Sequence, residues 1–129
     1  MIVVDASALV AIAELESDAE VFAAAIANAE SAVVSQVNAL EAAMVLLGRK
    51  RFANPEDVTA WREGLSVSVW PEPVDDGLIL STFWRFGKGR HPARLNLGDC
   101  FAYALARTLD APLLYKGDDF ALTDARSAL

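Results

Sequence analysis

Four short runs of β-favouring residues punctuate the chain: IVVD at 2–5, AVVS at 32–35, SVSVW at 66–70 and APLLY at 111–115. At least one helix-patterned segment lies between each run and the next, and no tight hairpin turn joins any two of them. Strands separated in this way cannot pair as hairpins and must cross over, so the chain is confined to a parallel sheet covered by helices. The signal for a further strand near the C-terminus is the weakest, which gives a sheet of four to five strands. The helices are read from about Ser7 to Leu15 and over 18–29, where Val21, Phe22, Ala25, Ile26 and Ala29 share one face. A third helix starts at Ser35 and carries Val37, Leu40, Met44 and Leu47. Asn54-Pro55 marks the start of a fourth, with acids in its first turn. Asp75 or Asp76 caps a fifth that runs to Phe86 and stops at Gly87. Residues 87–96 form a loop, and LGDCFAYALARTL (97–109) is apolar nearly all round, as a central helix is. No repeat, linker or low-complexity tract divides the 129 residues, so one domain over 1–129 is expected.

Sheets of this kind bind ligands beyond the carboxyl ends of their strands. Asp5 stands at such an end, directly after an apolar strand. A buried unpaired aspartate is costly, so something must offset its charge. Asp118 and Asp119 follow the last strand in the same way. Glu41 lies in an apolar helical stripe between Val37 and Val45. Asn38-x-x-Glu41 has the form of a capping box, but Ser35 is the better helix start. Asn96-Leu97-Gly98-Asp99 is a good cap with its acid at the third helical position, and a cap is compatible with a carboxylate aimed into a cleft. Each acid alone has an ordinary reading, Gly-Asp turn chemistry included. Together they stand where one sheet edge could collect them, and clustered like charges repel one another and resist burial. A divalent cation relieves both problems, and oxygen-only ligands suit Mg²⁺, with Mn²⁺ as a substitute. The single histidine (His91) and single cysteine (Cys100) are too few for usual zinc sites. Cys100 reads as a small buried hydrophobe.

The formal net charge of −7 argues against a protein that coats nucleic acid by bulk electrostatics, though not against a local basic patch. Arg85, Lys88, Arg90 and Arg94 form such a patch leading into the Asn96–Asp99 motif, where they would guide a nucleic-acid strand, and Arg49, Lys50 and Arg51 form another. Trp61, Trp70 and Trp84 read as core or interface residues. A lone cysteine fits a reducing compartment. With no basic leader and no apolar run of membrane length, a cytoplasmic location away from the membrane is expected.

The segments VVDASALVAI, VVSQVNALEAA, LNLGDCFAYALA and LLYKGDDFALTD, in this order, resemble the PIN domains of VapC type, the toxin half of VapBC toxin–antitoxin modules. The resemblance covers essentially the whole chain. It implies a single PIN-like domain and a metal-dependent ribonuclease that hydrolyses RNA phosphodiester bonds. Carried over residue by residue, Asp5, Glu41, Asp99 and Asp118 would be the acidic, metal-holding set, with Asp118 preferred to Asp119. Ser7 and Asn96 would be polar supports. The resemblance further implies a cognate VapB antitoxin that blocks the site and contacts operator DNA, which the toxin reaches only through it. A homodimer is also expected. Two rival readings are a PIN-like binding module without catalysis and a haloacid-dehalogenase-like phosphatase. VVDAS resembles the first strand of such phosphatases, but Ser7 stands where they carry a second aspartate.

Overall fold

The structure is a computed structural model that describes residues 1–129. Its strands are β1 (Ile2–Val4), β2 (Ala32–Val34), β3 (Val67–Val69) and β4 (Leu113–Leu114). They form one sheet in the order β3-β2-β1-β4, and every pairing is parallel. The helices are α1 (Ala6–Ala13), α2 (Ala19–Asn28), α3 (Gln36–Gly48), α4 (Pro55–Gly64), α5 (Asp76–Phe86) and α6 (Leu97–Leu109). A 3₁₀ turn, Phe120–Leu122, follows β4. None of the helices is long and apolar enough to cross a membrane.

Period-two alternation along the strands divides the core into two layers. Val3, Val33 and Leu113 face a cluster built with Ile79, Phe86 and the buried side of α6. Ile2, Val4, Ala32, Val34 and Leu114 face the other way, onto Leu9, Ile12, Phe22 and Ile26 of α1 and α2 and Ala42 of α3. The sheet is therefore covered on both faces, as purely parallel sheets are.

β1 and β2 are shorter than the sequence suggests because their last residues are recruited as helix caps. Asp5 closes β1 but is the N-cap of α1, and Ser35 closes β2 but is the N-cap of α3. The sheet has four strands, the lower end of the four to five expected. The C-terminal segment makes a single parallel bridge, Ser127 to Leu113, beside β4 and does not extend into a strand. Asp75 is the cap of α5, its side chain accepting from Leu78 N at 2.9 Å.

The chain moves from β1 to β2 to β3 in one direction and returns to place β4 on the free side of β1. The reversal falls between β1 and β4, the position at which open parallel sheets bind ligands. Backbone bonds fix this seam: Val3 N donates to Pro112 O and Asp5 N to Leu114 O, each at 2.9 Å.

Candidate active site

Asp5 is 4 % exposed. Its Oδ2 accepts from Ser7 N at 3.0 Å and from Ser7 Oγ at 2.6 Å. Ser7 Oγ in turn accepts from Lys116 N at 2.9 Å, which ties the end of β4 to the end of β1. The other oxygen, Oδ1, is buried with no hydrogen-bond partner. Burial pushes the Asp5 carboxyl up from 3.8 to about 6, the Ser7 bonds pull it back, and the charges of Asp99 and Glu41 raise it further.

Asp99 sits in the first turn of α6, where the cap predicted from the sequence is complete. Asp99 N donates to Asn96 Oδ1 at 2.9 Å, and Asn96 N donates to Asp99 Oδ2 at 3.1 Å. Asn96 thus fixes the side chain as well as capping the helix. Burial holds the Asp99 carboxyl above its ordinary range, the Asn96 bond opposes this, and the charges of Asp119 and Glu41 add to it.

Glu41 lies within α3, one of whose buried neighbours sequence reasoning passed over. Asn38, wholly buried, donates from Nδ2 to Gly98 O at 2.9 Å and to Glu41 Oε1 at 3.3 Å. Gly98 was also missed. A Cβ there would stand 2.5 Å from Glu41 Oε2 and 2.8 Å from Oε1, so the bare α-carbon lets α6 approach the carboxylate. The Asn38-x-x-Glu41 spacing, read only as a possible cap, was the signal that could have found Asn38.

Asp5, Glu41 and Asp99 line one open cleft of about 370 Å³, together with Ser7, Glu16, Arg49 and Lys116. A larger cleft of about 520 Å³ lies between the start of α3 and the segment after β3, lined by Trp70, Pro71, Pro73 and Phe101, and it contains none of these carboxylates. Convergent charge, rather than volume, distinguishes the smaller one. No three His, Cys, Asp or Glu side chains close to ligand geometry around a single point. The donor set nevertheless fits a hard cation that keeps several waters and uses one or two carboxylates directly. The orphaned Oδ1 of Asp5 is the group such a cation would satisfy.

The residues after β4 are divided. Asp118 and Asp119 are both exposed, and Asp119 is the one whose charge bears on Asp99. The basic stretch is divided as well. Arg85 points to Asp124 at 3.4 Å, beside Arg107 at 3.8 Å and the Tyr103 hydroxyl, and lines a different hollow together with Tyr103 and Arg107. Arg90 lies over the ring of Trp84 at 3.7 Å and donates to Trp84 O. Lys88 and Arg94 are exposed. The cations lining the cleft are instead Arg49, paired with Glu14 at 3.1 Å, and Lys116, paired with Glu16 at 2.5 Å and Asp18 at 3.2 Å. Lys116 gave no sequence signal. His91 is structural: Nδ1 accepts from Ala93 N at 3.0 Å and the ring meets Phe86 edge-on at 5.1 Å. Cys100 is buried, and that burial pushes its thiol up to about 11.

A parallel α/β sheet with a carboxylate-lined cleft at its switch point defines a class of acid-site proteins. The PIN domain model matches residues 2–126, and the chain belongs to that family, among its VapC ribonucleases. It is 43 % identical over 126 residues to "Ribonuclease VapC" of Mycolicibacterium smegmatis, covering 95 % of each chain. Ribonuclease VapC30 of Mycobacterium tuberculosis is 40 % identical over 125 residues, with 95 % of this chain and 94 % of the relative covered. Ribonuclease VapC42 of the same organism is 37 % identical over 128 residues, with 98 % of each covered. The crystal structure of M. tuberculosis VapC20, described as a sarcin-ricin loop cleaving toxin, superimposes with a TM-score of 0.70 at 20 % identity, covering 98 % of this chain and 99 % of that one. That likeness is one of fold.

Proposed function

We propose that the protein is the toxin of a VapBC-type module and a Mg²⁺-dependent ribonuclease, with Mn²⁺ as a substitute ion. The observation that carries this reading is the Asp5 carboxylate: buried, held by Ser7, and left with one unpartnered oxygen in a cleft shared with Glu41 and Asp99. Asp5 and Asp99 would hold the ion directly, and Glu41 would complete the shell, in part through water. Asp119 is the better fourth acid than Asp118, because its charge reaches Asp99. A divalent cation supplies an activated water and offsets the charge that builds on the phosphate. The chain supplies the rest. Ser7 and Asn96 fix the orientation of Asp5 and Asp99. Arg49 and Lys116, at the rim of the same cleft, attract a polyanion to an otherwise acidic site.

The partner expected from the family, a VapB antitoxin, would close the site with an arginine, since a guanidinium pairs well with carboxylates. The exposed Leu80, Phe83 and Trp84 on α5 support a second copy of the chain as a further partner.

RNA cleavage by the purified protein tests the reading. Cleavage is expected with Mg²⁺ or Mn²⁺, none in chelator, and none from Asp5→Asn under any condition. Equal cleavage in chelator, or by Asp5→Asn, overturns it.

A further inference from the structure

Asn38 is a polar side chain with no exposure at all, placed between two of the acid-bearing helices. Its orientation is over-determined. The Ser35 hydroxyl accepts from Asn38 N at 3.0 Å as the cap of α3, so its one proton is free to go to Asn38 Oδ1, at 2.5 Å. Oδ1 must then face Ser35, and the amide nitrogen must face the opposite way. There it finds Gly98 O, which can only accept, and Glu41 Oε1. Both amide protons and the amide oxygen are used, and flipping the amide would set its oxygen against Gly98 O and the Glu41 carboxylate, which can only accept. Both oxygens of the Glu41 carboxylate also lie against the bare α-carbon of Gly98, one residue before Asp99.

From this geometry we infer that Asn38 is a positioning residue: its buried amide braces the Glu41 carboxylate against Gly98 and sets the spacing between Glu41 and Asp99. Without the amide, Glu41 keeps its charge and its helix but loses its fixed rotamer, and the first turn of α6 loses its tie to α3. Groups that orient a metal ligand typically change ion affinity by about tenfold or more when removed.

The inference rests on the metal reading above, and the test separates the two. Mn²⁺ is titrated into the full chain, and binding is read from loss of the free-ion paramagnetic resonance signal, with no RNA present. The proteins are the parent, Asn38→Ala, Glu41→Gln and the double variant, with melting curves in chelator to establish that each is folded. Asn38→Ala is expected to weaken Mn²⁺ binding about tenfold. In the Glu41→Gln background the same change is expected to cost nothing further, because its route to the ion has been removed. Gly98→Ala displaces the carboxylate without touching Asn38 and is expected to give a comparable loss. If the parent takes up no Mn²⁺, the metal reading fails and takes the inference with it. If the parent and Glu41→Gln behave as expected but Asn38→Ala binds like the parent, the brace alone is refuted. A full additional loss in the double variant also refutes it, since Asn38 then acts on something other than Glu41. Should Asn38→Ala not fold, Asn38→Leu refills the buried volume and runs the same cycle. If neither variant folds, Asn38 is a folding residue and the inference falls.

Discussion

Replacing Asp5 by Asn removes a charge that the fold holds at a loss. The Asp5 carboxyl rises from 3.8 to about 6 on folding, with burial as the main cause. The folded state therefore binds the proton more tightly than the unfolded one. Stability from this group is complete below 3.8, falls as the pH climbs through the interval, and is gone above about 6. A rise of that size corresponds to about 3 kcal/mol at neutral pH. Asn keeps the shape of the side chain and an oxygen for the Ser7 bonds, and the charge assistance of those bonds is already contained in the net rise. A gain of about 3 kcal/mol moves the midpoint of a domain this size by about 10 °C. Melting curves at pH 7 in chelator should therefore place Asp5→Asn above its parent, and the gap should close as the pH is lowered to 4. Added Mg²⁺ should raise the parent and do much less for the variant, because an ion that binds the native state stabilises it. A variant that melts below its parent in chelator, by a margin that does not change with pH, would refute the reasoning. Asp5 would then be a structural hydrogen-bonding group.

Asp119→Asn should slow metal-dependent RNA cleavage well beyond the effect of Asp118→Asn, and equal effects in the two variants would remove the distinction. Neutralising Lys116 and Arg49 together should weaken RNA binding and flatten its salt dependence more than neutralising Arg85 and Arg90, which is checked from the slope of log affinity against log salt. Tyr103→Phe removes the hydroxyl that donates to Asp124 and should lower stability by about 1 kcal/mol in denaturant titration while leaving cleavage unchanged. A complex with the antitoxin should show Asp5, Glu41 and Asp99 covered, and a structure leaving all three open would count against direct occlusion.

What the sequence reveals about the site divides by distance along the chain. Asp5 and Asp99 could be picked out because the features that place them are local: an apolar strand that ends, and a cap three residues earlier. Ser35 and Asn96 were legible as caps for the same reason. Gly98, Asn38 and Lys116 were not, because their roles depend on partners far away: Asn38 meets Gly98 across 60 positions, and Lys116 meets Ser7 across 109. Arg85 misled for the converse reason. Its neighbours in sequence are basic and lead into the Asn96–Asp99 motif, but its partner Asp124 lies 39 residues on and draws it elsewhere. The strand count stays open between four and five because the C-terminal signal is weak, and in the fold those residues make one bridge to β4 without becoming a strand.

The seam between β1 and β4 has a temporal side. Of the four strands a ribosome delivers β1 first and β4 last, yet these two are neighbours and the cleft opens across their ends. Until Leu113–Tyr115 have emerged, Asp5 N has no carbonyl to meet and Ser7 has no donor from Lys116. Contacts that close so long a loop form late. A nascent chain therefore carries Asp5, Glu41 and Asp99 unassembled until β4 has emerged. On the proposed reading, nuclease activity would arrive in one step, when β4 docks beside β1.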